Sequence, residues 1–440
     1  MNPADFVRAL RAAAPYVHAH VDRVFVLALG GEICERPDFE RFLYDVALLH
    51  SLGVKIVLVH GARPQIEQRL GQKGLESKHN GALRITDTET LACVLEAAGS
   101  LRMGIEARLS TSLASTPMGS ARVKVAGGNW VVAKPVGVRN GVDHHFTGEV
   151  RRIDGEAVRQ ALDQGRIALI SNVGYSPTGE IFNLRYEDVA TAVATALSAD
   201  KLVFMVNSNP DDWKLAADTG DAGQLSLGEA TRLFENAAHL ADSDRGHLAA
   251  ALAAGRGGVK RTHLVGAAEE GALLRELYTR DGVGLMVYTD AHYEAVREAS
   301  IEDVGGILAL IKPLEDAGVL VPRSREQLEL EIGQFDVMVR DGLVIACCAL
   351  FPFPAKSMGE FSCVAVHSDY RGEGRAEALL KRAEDTARQQ GLKQIFALTT
   401  TTEHWFLEHG FVEGKIEDLP VQKQRIYNYR RNSIVLVKPL

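Results

Sequence analysis

Val364-Ala365-Val366-His367-Ser368-Asp369-Tyr370-Arg371-Gly372-Glu373-Gly374-Arg375-Ala376 runs straight into Glu377-Ala378-Leu379-Leu380-Lys381-Arg382-Ala383. The stretch reads as a short apolar strand, a glycine-rich turn and an amphipathic helix. Glycines let a backbone approach a ligand closely, and the unpaired N–H groups of a helix's first turn, aligned with its dipole, favour phosphate oxygens. Strand, turn and helix alone leave two readings open, an anion cradle sized for a pyrophosphate or merely a sharp turn. The order Arg371-x-x-Gly374-x-Ala376 lacks the Gly-Lys-Ser/Thr of a Walker loop and the G-x-G-x-x-G of a dinucleotide turn.

That order resembles the acyl-coenzyme A loop of the GNAT superfamily of N-acetyltransferases, and the sequence around it fits. Ser300 followed by Asp303 approximates a capping box, and helices are expected over 301–317 and 324–332. Phe335-Asp336-Val337-Met338-Val339-Arg340 and Leu343-Val344-Ile345-Ala346-Cys347-Cys348-Ala349-Leu350 flank Asp341-Gly342, a strong hairpin signal. The next strand covers 359–366, the helix after the loop reaches Gln390, and a further strand covers 394–399. Glu403-His404-Trp405-Phe406-Leu407-Glu408-His409-Gly410-Phe411 is a short helix ended by glycine, a recurrent feature of GNAT proteins. The resemblance covers about residues 293–440.

Composition bounds the rest. A chain of 440 residues is too long for one ordinary domain, and we expect two, over 1–288 and 289–440. Its 46% hydrophobic and 24% charged residues suit globular cores. A net charge of −8 argues against nucleic acid or an anionic membrane as the main partner. Five cysteines with no C-x-x-C pair form neither a disulfide framework nor a zinc site, so no metal is expected and a reducing cytoplasm suits them. No signal peptide and no run of about eighteen apolar residues is evident.

The first two-thirds alternate strands and helices. Val24-Phe25-Val26-Leu27-Ala28-Leu29 ends in Gly30-Gly31, a helical pattern follows over 38–52, and Lys55-Ile56-Val57-Leu58-Val59-His60-Gly61 is a second apolar run. Strands over 167–170, 202–206 and 263–265 and helices over 186–199 and 244–254 repeat the theme. Apolar runs without alternation are buried on both faces, as in a parallel sheet covered by helices. An amphipathic helix over 2–20, with Phe6, Leu10 and Ala14 on one face and a break near Pro15, packs either on its own domain, the commoner arrangement, or on a second subunit.

These segments, with Gly81-Ala82-Leu83-Arg84-Ile85-Thr86-Asp87, Asn183-Leu184 and Gly257-Gly258-Val259-Lys260-Arg261-Thr262-His263, resemble the amino acid kinase family over about residues 20–288, acetylglutamate kinase in particular. The expected architecture is therefore α/β throughout: an amino acid kinase-like α/β/α sandwich with a mostly parallel sheet, then a mixed α/β GNAT domain. The departures from the kinase pattern bear on activity. Ala28 stands where the family has a lysine, Ala62-Arg63 replace two glycines of the nucleotide turn, His247 is the closest occupant of the second lysine's place, and Val206-Asn207-Ser208 lacks an aspartate. Phosphoryl transfer rests on electrostatic positioning, so kinase activity is not expected.

The resemblances also imply site residues. In the GNAT pattern, Cys363, Val364, Ala365 and Val366 run along acetyl and pantetheine, Arg371, Gly372, Gly374, Arg375 and Ala376 take the pyrophosphate, and Leu398 and Phe406 complete the acetyl-CoA site. Glu360 is the candidate base, though a glutamate at a strand end is more often a solvated charge. Thr399 is the candidate proton donor or a cap for the following helix. Cys363 is read as a small packed side chain and not a nucleophile, so direct attack on the thioester is expected.

Lys312, Lys423, Arg431 and Ser433 are the implied carboxylate ligands, while Arg425 and Arg430 read as a solvated face. Tyr16, Glu276, Gly282 and Gly284 match the segment through which arginine-sensitive, hexameric kinase relatives hold arginine; on the residues alone, Glu276 reads as a solvated helix position. Together the two resemblances imply transfer of acetyl from acetyl-CoA to the amino group of L-glutamate, the first step of arginine biosynthesis, inhibited by L-arginine, in a cytoplasmic homo-oligomer. A bifunctional synthase and kinase, or an arginine sensor with an inactive transferase domain, are the alternatives.

Overall fold

The computed structural model describes residues 2–111, 123–209, 223–236, 240–279, 282–289, 296–340, 343–372, 374–400, 402–427 and 433–440. The chain divides into two compact units, Met1–Asp290 and Ala291–Leu440.

The first unit is built on an eight-stranded sheet. Its strands are β1 (Val24–Leu29), β2 (Lys55–His60), β3 (Lys124–Ala126), β4 (Arg166–Ile170), β5 (Lys201–Val206), β6 (Gln224–Ser226), β7 (Arg261–Gly266) and β8 (Leu285–Tyr288), in the order β6-β8-β7-β5-β1-β2-β4-β3. Only β7 and β8 pair antiparallel. Side chains alternate between faces along a strand, and here both faces are dry. Val26 and Ala28 enter a core shared with helices Tyr186–Leu197 and Asp242–Arg256, whereas Phe25, Leu27 and Leu29 enter one shared with Phe39–Ser51 and Ala272–Tyr278. That is why these strands read as unbroken apolar runs.

The N-terminal helix α1 spans Pro3–His20 without interruption, contrary to the break expected near Pro15. Proline has no N–H to donate and crowds the preceding turn, but the helix continues past it. Phe6, Val7 and Leu10 are 55%, 44% and 57% exposed. The apolar side of α1 is thus largely uncovered by its own unit, against the commoner arrangement.

The second unit is a seven-stranded sheet of β9 (Val296–Glu298), β10 (Phe335–Arg340), β11 (Leu343–Phe353), β12 (Met358–Val366), β13 (Gln394–Thr399), β14 (Val412–Glu413) and β15 (Ile434–Pro439), ordered β9-β10-β11-β12-β13-β15-β14. Arg340 pairs with Leu343 across the hairpin, whose turn residues Asp341 and Gly342 lie outside the described residues. The capping box at Ser300 and Asp303 forms, and it opens a 3₁₀ turn, Ile301–Asp303, that leads into the α-helix Val304–Asp316. Arg297 clamps Asp303 through two bonds of 2.7 and 2.8 Å, fixing where that helix begins. The sheet lies between this helix on one face and Arg375–Gln389 on the other.

One pairing in the second sheet is short. β12 meets β13 in parallel only over Met358↔Gln394, Gly359↔Ile395 and Glu360↔Phe396; beyond Glu360 the strands part, although β12 runs on to Val366 and β13 to Thr399.

Candidate active site

The parting strand is also bent. Opposite Cys347 to Ala349 its register with β11 shifts, and Cys363 takes a φ of +53°, a backbone region that residues with a side chain seldom occupy. A bulge of this kind bends a strand and re-aims its side chains. Phe361 packs into the core beneath Arg375–Gln389, yet Cys363 and Ala365, which period-two alternation would put on the same side, pack beneath Val304–Asp316. The bulge therefore reverses the facing of the strand. Past Glu360, the edge of β12 that faced β13 has no strand partner among the described residues, and its backbone groups suit a ligand carrying amides of its own.

At the far end of β12 stands the glycine-rich turn. Gly372 and Gly374 have φ of +85° and +73°, and Gly374, which has no side chain, is the cap of the helix Arg375–Gln389. The arginines of the turn serve its shape. Arg375 is buried, donating to the Tyr370 carbonyl at 2.7 Å, and the Tyr370 ring lies 5.3 Å from its guanidinium and 5.6 Å from that of Arg340. Arg371 donates to the Val366 carbonyl at 3.3 Å. What the turn offers an anion is the backbone of a helix start whose cap, a glycine, has no side chain to cover it.

Glu360 sits at the fork. It is not the solvated charge that a glutamate at a strand end more often is: the residue is 5% exposed, and the Lys423 ammonium is 2.6 Å from its Oε2. Lys423 lies on the helix Val421–Ile426, held by Gln424, which donates to the carbonyls of Glu417 and Leu419 at 3.0 and 2.8 Å. Across the fork, the Thr399 hydroxyl is 2.8 Å from that of Thr402 and accepts from the Thr402 amide at 3.1 Å, so it caps the turn before Glu403–Glu408. Ser433 accepts from the Tyr427 hydroxyl through its carbonyl.

The other expected residues divide. Lys312 is exposed and paired with Asp316 at 2.7 Å. Phe406 is a core residue, its ring against Phe361, Trp405 and Phe411, and Leu398 is half-buried beside a second cluster with Phe396. Arg431 lies outside the described residues.

Arg323 went unnoticed in the sequence. Its side chain is 15% exposed, with Nη1 donating to the Cys363 sulfur at 3.6 Å and Nε 3.8 Å from Glu331. Contact with the Cys347 thiol lowers the Cys363 pKa against its burial, and Arg323 adds to the lowering. Lying one residue before the Ser324 cap, Arg323 gives no signal that separates it from a solvated residue; the bulge that brings Cys363 to it is invisible in composition.

In the first unit Glu276 is likewise no solvated residue. It is 8% exposed; His263 Nδ1 is 2.6 Å from Oε1, and Oε2 accepts the amides of Val283 and Gly284, each at 2.7 Å. Burial alone would raise this carboxyl, but His263 and the two amides hold it down to about 2. Gly282 has φ +63°, and a Cβ there would stand 2.5 Å from Glu276 Oε2. A cavity of 440 Å³ lined by Asn207, Ser208, Arg275, Gly282 and Val283 adjoins the carboxylate. His20 packs on Tyr278 at the end of the same helix as Glu276, with Tyr16 one turn earlier on α1.

Residues 23–210 match the amino acid kinase family and residues 331–413 the acetyltransferase (GNAT) domain. An amino-acid acetyltransferase of Azotobacter vinelandii is 52% identical, covering 99% of this chain and 100% of that relative; one from Pseudomonas putida is 50% identical over the same shares. The chain belongs to the amino-acid acetyltransferase family. Its enzymes are GNAT acyltransferases, and a solved member is similar throughout. N-acetylglutamate synthase from Neisseria gonorrhoeae, in complex with coenzyme A and L-arginine, is 34% identical with a TM-score of 0.83, covering 99% of both chains. The same gonococcal enzyme has also been seen with coenzyme A and N-acetylglutamate, there with a TM-score of 0.61.

Family membership leaves open what the kinase-like unit retains, and its geometry speaks against phosphoryl transfer. Ala28 is wholly buried in β1 and Ala62 is 1% exposed. The Tyr186 ring covers Gly61 so closely that a Cβ there would stand 2.8 Å from it, and the Tyr186 hydroxyl is 2.6 Å from His247 Nε2. Burial pushes His247 down to about 4, so at neutral pH it carries no charge in a lysine's stead. Titrating the protein with MgATP should give no binding heat up to millimolar nucleotide; saturable binding would show the turn to be open.

Proposed function

We propose that the chain makes N-acetyl-L-glutamate from acetyl-CoA and L-glutamate. The observation that carries this reading is the fork at Glu360: a strand edge freed for pantetheine, a glycine-capped helix start for pyrophosphate at one end of that strand, and a buried carboxylate at the other. The complexes of the gonococcal relative support the choice of ligands.

In this reading Val364 to Val366 bind pantetheine through their backbone, with Cys363 beside the acetyl group. Glu360 takes the proton from the glutamate ammonium, directly or through water. The amine attacks the thioester carbonyl to give a tetrahedral intermediate; as its carbon–sulfur bond breaks, the proton carried by the attacking nitrogen passes to the departing thiolate through the Thr399 hydroxyl, which gives up one proton and takes back another. Arg323, Lys423, Ser433 and Arg431 are the proposed carboxylate ligands, with arginine able to bind bidentately; Lys312, turned to Asp316, would have to leave that pair to join them. Direct attack is preferred to a Cys363 thioester because the amine, once deprotonated, needs no intermediate carrier.

We further propose that L-arginine inhibits at the first unit, its cationic groups meeting Glu276 and its backbone contacts coming from Gly282 to Gly284 and Tyr16. The uncovered apolar side of α1 supports assembly into a homo-oligomer, a hexamer as in arginine-sensitive relatives, and the five free cysteines fit a reducing cytoplasm. Against the alternative of a pure arginine sensor stands the fork itself, where a buried carboxylate, a freed strand edge and a glycine-capped helix start occur on one strand.

Pure protein given both substrates should release coenzyme A, and Glu360→Gln should lower kcat by about 10²–10⁴-fold, the usual contribution of a general base, with acetyl-CoA KM little changed; a kcat near wild type would remove Glu360 from the mechanism. Rates measured with and without L-arginine should differ for the wild type and coincide for Glu276→Ala; persistent inhibition in that variant would move the effector elsewhere.

A further inference from the structure

Glu360 is buried against apolar neighbours. Its side chain is 7% exposed, and it shares the strand face of Met358, which packs with Phe396, Leu419 and Val435. A carboxylate buried in such surroundings needs a partner for its charge; without one it turns toward water. Among the described residues the charged partner is Lys423, at 2.6 Å, itself 24% exposed. Lys423 is not a free arm that happens to rest there. Its amide donates to the Pro420 carbonyl, and the Gln424 side chain ties the same short helix to the carbonyls of Glu417 and Leu419.

We infer that Lys423 is a positioning residue for the base: beyond any contact with substrate, it holds the Glu360 carboxylate in place at the fork of β12 and β13. This rests on the reading of Glu360 as the base. An ammonium has three N–H donors, so one can stay on Glu360 Oε2 while another meets a carboxylate of glutamate. The shared cation then fixes the distance between the substrate's carboxylate and the group that deprotonates its amine, and it couples binding of the acceptor to the chemical step. A residue that only gripped substrate would have no reason to be committed to Glu360 beforehand.

A double-mutant cycle on the full chain separates these roles. Lys423→Met, Glu360→Gln and the double variant are compared for kcat and for KM of each substrate, with folding followed by thermal melting. Lys423→Met should lower kcat by about 10–100-fold, a substantial part of what a general base contributes, with acetyl-CoA KM within about threefold of wild type. Because Lys423 acts through Glu360, the double variant should be no more than about threefold slower than Glu360→Gln alone. Lys423→Arg should restore at least about tenfold of the lost kcat, since a cation at that position suffices.

If Lys423→Met raises only the glutamate KM and leaves kcat within threefold of wild type, Lys423 is a substrate ligand alone and the inference is overturned. Losses that add fully in the double variant overturn it too, since the two residues would then act independently. A near-normal kcat for Glu360→Gln removes the base assignment itself, and this inference with it, which distinguishes the two failures. Should Lys423→Met fail to fold, Lys423→Gln, neutral but still able to donate to the carboxylate, is put through the same cycle under the same criteria.

Discussion

A strand that leaves its neighbour exposes backbone groups that must find other partners, and the second unit depends on one such departure. β12 keeps three residue pairs with β13 and then turns away, because a bulge opposite Cys347 to Ala349 bends it and reverses which side its residues face. The backbone at Cys363 lies in a region that costs on the order of 1–3 kcal/mol for a residue with a side chain. Strain of this kind persists only where the surroundings enforce it, and here they do. β11 holds one edge, Cys363 is packed beneath Val304–Asp316, and Arg323 lies against its sulfur.

Two buried carboxylates, one in each unit, follow the same physical rule. Glu360 and Glu276 are both sequestered from water, and each is matched by specific partners: the Lys423 ammonium for one, His263 and two loop amides for the other. Removing a partner from such a group leaves an uncompensated buried charge, which is far costlier than losing a surface ion pair. The matching also explains the glycine at 282, where any side chain would press on the carboxylate the loop is folded around.

The architecture was largely legible in the chain itself, because each apolar run without alternation corresponds to a strand fed into two cores, and because glycine turns and the Ser300 capping box act locally. Local rules failed where a tertiary contact decides. The chain carries α1 through Pro15 even though proline alone predicts a break. Glu360 and Glu276 were named by resemblance, but their burial was not legible, because their partners lie 63 and 13 residues away or on loop backbone, beyond any helical or strand spacing. Arg323 gave no signal because its significance arises from a bulge forty residues later, and the bond from the Arg375 guanidinium to the Tyr370 carbonyl is likewise set by the folded loop. Side chains named by resemblance carry a position, whereas their hydrogen bonds depend on the fold around them.

The central claim is that the freed edge of β12 and the helix start after Gly374 together form the acyl-donor site. Hydrogen–deuterium exchange of the full chain with and without acetyl-CoA tests it most directly. Added acetyl-CoA should slow exchange of the amides at 362–366 and 374–378, with the turn at 61–65 of the first unit unchanged. Protection confined to the first unit, or absent from both segments of the second, would contradict the account.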